Sequence, residues 1–216
     1  MILKKFKNRF LTSCALLLLV ILILNYSFFL LYTLIVLGIL SIIEFFEIIK
    51  KIFKKVYLKI IFNFLFIIFI FIFAYIFFFF SNIPQLKIIL FILLFGCIAS
   101  DIGGFIIGNI FKGPKLTRIS PKKTISGALG SIFFSIVVIS LFVFYTTKMF
   151  SINTIAISIL TSLGCQIGDL FFSFLKRRSK IKDTGNILPG HGGILDRLDG
   201  IFFGIPIGFI ALIILY

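Results

Sequence analysis

Long apolar blocks, broken by short polar clusters, run through this sequence from end to end. A bilayer core about 30 Å thick is crossed by about 20 helical residues. On that scale the blocks predict about seven transmembrane helices, at 9–24, 27–46, 58–80, 86–111, 125–146, 153–175 and 198–215. On one side of the membrane the breaks are small: Asn25, Ser81-Asn-Ile-Pro84 and Ser151-Ile-Asn153. On the other side they are longer and basic. The fold class read from this pattern is all-α, a polytopic transmembrane helix bundle with no soluble domain. The start, Met1-Ile-Leu-Lys-Lys-Phe-Lys-Asn-Arg-Phe10, resembles that of a signal peptide. No small-residue cleavage site follows it and further spans come at once, so it reads as a retained first span.

Composition supports lipid as the solvent. Hydrophobic residues make up 61% of the chain and charged residues 13%, against roughly 25% charged in a soluble domain. The net charge of +15 raises the question of nucleic acid, but its distribution answers otherwise. Of the 22 Lys and Arg residues, all but Lys87 and Lys148 fall on one side of the seven-span arrangement. That asymmetry is the positive-inside pattern. It puts the N-terminus in the cytoplasm and makes nucleic-acid binding unnecessary. Cys14, Cys97 and Cys165 lie inside apolar runs, without Cys-x-x-Cys or Cys/His pairing. They read as buried thiols rather than a disulfide framework or a zinc site.

The seven acids discriminate further. Glu44 and Glu47 end the second span beside Lys50 and Lys51, where helical ion pairing at three- and four-residue spacing accounts for them. Asp101 lies about 15 Å from the cytoplasmic end of its span at 1.5 Å per residue. An ionisable group at that depth calls for a wet cavity or a partner, and the small, polar Ser100-Asp-Ile-Gly-Gly104 setting suits a pocket wall. The remaining acids, Asp169, Asp183, Asp196 and Asp199, crowd into Gly168–Gly200 together with Lys176, Arg177, Arg178, Lys180, Lys182, Arg197 and His191. Asp169 closes the sixth span. Asp196 and Asp199 open the seventh at an i, i+3 spacing that puts both on one helix face. A hairpin of these two spans would bring Asp169 opposite Asp196. Clustered carboxylates repel unless a cation sits between them, and oxygen ligands suit magnesium. A divalent metal ringed by Lys and Arg is what a polyphosphate requires. Pro189-Gly-His-Gly-Gly193 offers backbone N–H groups as an anion nest leading into the Asp196 helix. A second basic segment, Gly108–Gly127, carries Lys112, Lys115, Arg118, Lys122 and Lys123, with Thr124 and Ser126 placed to cap the next helix. Each feature alone has a plainer reading: positive-inside charge, a simple glycine loop, a structural histidine, a capping aspartate. Their conjunction carries the weight.

From Ser173 to Asp199 the chain closely resembles the signature of the phosphatidate cytidylyltransferases. It carries Ser173, Lys176-Arg177, Lys182-Asp183, His191-Gly-Gly193 and Asp196-Arg-Leu-Asp199 in that family's order and spacing. Ile119-Ser-Pro-Lys-Lys-Thr124 matches its other cytoplasmic motif. Ser126 stands where the family usually has Glu, and Gly104-Phe105 where it usually has Ala-Tyr. The resemblance covers the last 120 or so residues of a chain shorter than typical members. On this reading residues 1–216 form a single integral membrane domain. Residues 1–85 are generic N-terminal spans and 86–216 hold the catalytic spans and cytoplasmic loops.

The resemblance implies that CTP and phosphatidic acid give CDP-diacylglycerol and pyrophosphate with Mg2+, in a homodimer, at the cytoplasmic face of the cell inner membrane. A lipid phosphate oxygen would attack the α-phosphorus of CTP. Asp169 and Asp196 would hold the metal, with Asp199 as a third ligand or a group just behind it. Lys176 would neutralise phosphate charge or hold the carboxylates in place. Lys122, Lys123, Lys182 and Arg197 are candidates for the triphosphate or the lipid phosphate. Ser120, Arg177, Gly192, Gly193 and Asp101 complete the expected substrate site, with Asp183 and His191 orienting. Two other readings stand beside this one. A CTP-dependent polyprenol or lipid kinase would release CDP and need a base for the hydroxyl proton. A cation-coupled transporter would use Asp101, but it should carry polar groups through both halves of the membrane, and the outer half is nearly bare.

Overall fold

The apolar blocks form helices because their backbone groups find no water in lipid and must bond within the segment. The computed structural model describes residues 18, 21–23, 26–117, 119–185 and 192–216. Its helices are α1 (Ser27–Ile52), α2 (Val56–Ser81), α3 (Pro84–Phe111), α4 (Ile125–Thr147), α5 (Ile152–Arg178), α6 (Leu195–Leu198) and α7 (Ile201–Leu215). Among the described residues six stretches, Phe28–Ile52, Val56–Ser81, Pro84–Phe111, Ile125–Thr147, Ile152–Arg178 and Leu195–Leu215, are long and apolar enough to cross a membrane. The chain is an all-helical, multi-pass membrane protein. The expected first span at 9–24 lies outside the described residues apart from Leu18 and 21–23. Elsewhere the boundaries agree to within a few residues, with one informative exception. α1 runs on past residue 46 to Ile52, carrying Glu47, Lys50 and Lys51 within the helix.

The chain parts into two compact units. The first joins residues 1–83 to 175–197, and the second joins 84–174 to 198–216. In the first unit α1 packs on the phenylalanine-rich α2, where Phe45 stacks on Phe66 and Phe53 on Phe62. Most of α2 remains exposed, with Phe64, Leu65, Phe71 and Tyr75 among its outward side chains. An apolar surface of that extent belongs in lipid.

The second unit packs α3, α4, α5 and α7 through small residues, as helices do where lipid offers no hydrophobic drive to associate. A Cβ on Gly103 would stand 2.6 Å from the carbonyl oxygen of Gly130, and one on Gly130 2.9 Å from that of Gly103. Gly164 and Gly204 give α5 and α7 the same closeness: a Cβ on Gly164 would lie 2.9 Å from the Phe203 carbonyl oxygen. The Gly104/Gly108, Gly164/Gly168 and Gly204/Gly208 pairs all meet neighbours within this unit. Polar bonds reinforce the seam. Ser100 and Ser162 hydroxyls are 2.8 Å apart, and Ser135 donates to the Ser158 carbonyl at 3.2 Å.

Candidate active site

The polar loop of the second unit follows α3. Gly108 and Gly127 let the end of α3 lie close to the start of α4. Between them residues 112–124 fold back on themselves. Leu116 N–H donates to the Lys123 carbonyl at 2.8 Å, and Ile125 N–H to that of Pro114 at 2.9 Å. Thr124 caps α4, accepting the Gly127 N–H at 3.1 Å. Ser126 does not cap. Its hydroxyl lies 3.0 Å from that of Thr124 and accepts the Gly113 N–H at 3.3 Å, so it ties the two ends of the loop together. Ser120 accepts the Lys123 N–H at 3.0 Å, which turns the chain at Pro121. An open cavity of about 450 Å³ lies beside Lys115, Leu116, Thr117 and Pro121. Lys122 points out to solvent, whereas Lys123 is half-buried and its ammonium pairs with Oδ2 of Asp169 on α5. Asp169 Oδ1 accepts the Ser173 hydroxyl one helical turn on, at 3.3 Å. Arg118 lies outside the described residues. Asp101 sits exposed on α3, and Asp199 is buried with Oδ1 accepting the Gly200 N–H at 2.9 Å.

The polar loop of the first unit begins where α5 stops. Lys180 has φ 58°, and the N–H groups of Lys180 and Ile181 bond the carbonyls of Arg177 and Lys176. This is the left-handed helix ending that glycine usually supplies. It sends the chain from Lys176 into Lys182, Asp183 and Thr184. Asp196, at the start of α6, is bound on both oxygens. Oδ1 takes the Lys176 ammonium at 2.6 Å. Oδ2 takes the Thr184 N–H at 2.8 Å and the Gly193 N–H at 3.2 Å, with the Thr184 hydroxyl at 3.1 Å. Gly192 has φ 83°, and a Cβ there would stand 3.2 Å from Asp196 Oδ2. Arg177, Lys182, Asp183 and Arg197 are exposed around this core, and His191 lies outside the described residues.

Three expectations change here. Glu44 is buried and accepts the Ile194 N–H at 3.0 Å, the Leu195 N–H at 2.8 Å and the Thr184 hydroxyl at 2.7 Å. Its charge is compensated by donors far along the sequence, so the local pairing with Lys50 and Lys51 does not account for it. Its position gave a signal, since it shares a helix face with Ser41, Phe45 and Ile48, all buried. Glu47 lies exposed. At the end of the expected Pro189–Gly193 anion nest, the Gly193 N–H holds the chain's own Asp196, and the next two amides, of Ile194 and Leu195, hold Glu44. Lastly, α6 ends at Leu198 and α7 begins at Ile201, so a turn at Asp199–Gly200 interrupts the single helix face expected for Asp196 and Asp199.

Residues 2–215 match the cytidylyltransferase family. The chain belongs to that family. Similar proteins include the phosphatidate cytidylyltransferase of Rickettsia felis, 41% identical over 128 residues, 55% of this chain and 56% of the relative. That of a Synechocystis species is 38% identical over 126 residues, covering 57% and 43%. That of Helicobacter pylori J99 is 40% identical over 112 residues, covering 52% and 42%. The chain spans about half the length of the curated relatives it matches.

Does this cytidylyltransferase-family chain have the donors for magnesium? Among the described residues, neither unit groups three His, Cys, Asp or Glu side chains as a metal cage. Magnesium seldom uses one. It is held by one or two carboxylates and completed by substrate phosphates and water. Asp169 and Asp196 are hard oxygen donors, and each already sits against a lysine ammonium. That donor chemistry fits the ion.

Proposed function

We propose that the protein transfers a cytidylyl group from CTP to phosphatidic acid, releasing CDP-diacylglycerol and pyrophosphate. The transfer would take place on the cytoplasmic side of a bacterial inner membrane, in a homodimer. The observation that carries this reading is the Asp196–Lys176 pair, bound on both carboxylate oxygens, in a chain that belongs to the cytidylyltransferase family. A fixed aspartate and lysine suit a reaction whose main obstacle is the meeting of two polyanions.

The lipid phosphate is already an anion near neutral pH, since the second pKa of a phosphate monoester is about 6. It therefore attacks the α-phosphorus of CTP without a strong general base. A P–O bond forms to the lipid, the bond to the β-phosphate breaks, and pyrophosphate leaves with the electron pair. The residues' work is alignment and neutralisation of charge. Asp169, Asp196 and Asp199 are the candidate carboxylates for Mg2+, and the ion would supply charge neutralisation on the phosphate oxygens. Lys176 fixes Asp196 and adds positive charge beside it. Lys122, Lys123, Lys182 and Arg197 present further ammonium and guanidinium groups to triphosphate and lipid phosphate.

The test is incubation of purified protein with α-labelled CTP, phosphatidic acid and Mg2+. The expected products are labelled CDP-diacylglycerol and one equivalent of unlabelled pyrophosphate. Release of labelled CDP with phosphorylation of a lipid alcohol would replace this reading with a kinase. Absence of any turnover of CTP with phosphatidic acid would remove it.

A further inference from the structure

The proposed transfer makes no direct use of Glu44, yet this carboxylate is buried to 3% exposure in the packed face of α1. Taking a carboxylate out of water is costly unless donors surround it. Here they come from 140 to 151 residues further along the chain: the Thr184 hydroxyl and the Ile194 and Leu195 N–H groups. Two glycines make room. A Cβ on Gly185 would lie 2.6 Å from Glu44 Oε1, and one on Gly193 2.5 Å from Oε2. The same short segment holds Asp196. Thr184 gives its N–H to Asp196 and its hydroxyl to Glu44, and Gly193, tight against Glu44, gives its N–H to Asp196.

We propose that Glu44 is a positioning residue for the transfer, a membrane-helix carboxylate that clamps 184–185 and 193–195 and so sets the place of Asp196. The inference rests on the reading of Asp196 as part of the transfer site. Its physical content is that α1 acts as a template for the loop rather than as a generic lipid-facing span. Charge-assisted hydrogen bonds to backbone N–H are short and directional, so one carboxylate fixes the loop on two sides. Thr184, bonded to both carboxylates, transmits that placement.

Glu44→Gln keeps the shape but turns one acceptor into a donor facing an N–H or hydroxyl. Misplacement on the scale of 1 Å costs about a hundredfold in rate. The variant is therefore expected to lose about that factor in kcat, with KM for CTP changed far less. Backbone hydrogen–deuterium exchange over 193–195 should speed up at least tenfold. Glu47→Gln, on the exposed side of the same helix, should match wild type in both. Thr184→Ser should keep activity, whereas Thr184→Val should fall about tenfold without exposing the 194–195 amides. These two variants carry the test if Glu44→Gln does not fold. A folded Glu44→Gln protein with wild-type kcat and exchange would overturn the proposal, as would Thr184→Val equal to Thr184→Ser. If wild type makes no CDP-diacylglycerol, the exchange measurement still reads the clamp, so failure of the two ideas can be told apart.

Discussion

Two aspartate–lysine pairs carry the candidate chemistry, and they are built differently. In the second unit Asp169 and Lys123 have about a third and a quarter of their side chains exposed, and a serine one turn along α5 supports the carboxylate. In the first unit Asp196 and Lys176 are about a tenth exposed, and two backbone N–H groups hold the aspartate besides the lysine. An exposed pair contributes at most about 1 kcal/mol and weakens with salt. A buried pair adds little net stability, but removing one partner strands a charge and costs roughly 3–5 kcal/mol. The contrast teaches a division of labour. The buried pair is a fixed reference point, whereas the exposed pair can exchange its lysine for another cation at small cost.

The largest effect is expected at the fixed pair. Asp196→Asn should lower CDP-diacylglycerol formation by about a thousandfold or more, the upper range for removing a preorganised charge-stabilising group. An initial-rate assay with wild-type levels of inserted protein would check this, and full activity would break the comparison at its stronger end. Next comes Lys176→Met, which leaves Asp196 with its N–H donors but without the ammonium. Thermal unfolding in detergent should show a loss of roughly 3 kcal/mol, at the lower end for a stranded buried charge. Activity should fall too.

Asp169→Asn sharpens the comparison by separating function from stability. Unfolding should change by less than about 1 kcal/mol, whereas activity drops steeply and the Mg2+ concentration for half-maximal rate rises. Equal destabilisation by Asp169→Asn and Asp196→Asn would erase the distinction. The smallest effect is that of Lys123→Gln, which should leave folding within about 1 kcal/mol and raise KM for one substrate. Raising salt from 0.1 to 0.5 M should mimic it, because screening reaches exposed pairs first.

Sequence reading located most of these residues without placing them. Asp169, Lys176 and Asp196 stood out because both charge signs alternate densely in a chain otherwise poor in acids. Thr124 was legible as a cap because capping is a matter of three residues. Glu44 was misread because Lys50 and Lys51 offered a nearby explanation, while its donors lie at Thr184, Ile194 and Leu195. The glycine run before Asp196 read as an anion nest, but it did not reveal that the N–H of Gly193, and those of Ile194 and Leu195 just after it, bond the chain's own Asp196 and Glu44.

The linear order of residues was enough for the helices, their approximate ends and the all-α membrane class, because span length and hydropathy are properties of consecutive residues. It was also enough to suggest the type of chemistry proposed, because few residue types can hold a polyphosphate. Folding alone decided that Lys176 meets Asp196, that Lys123 meets Asp169, and that a glutamate of α1 grips the loop ahead of α6. Those partners lie 20 to 151 positions apart along the chain, and the preference of a buried charge for a particular donor is settled only when packing removes the water that would otherwise satisfy it.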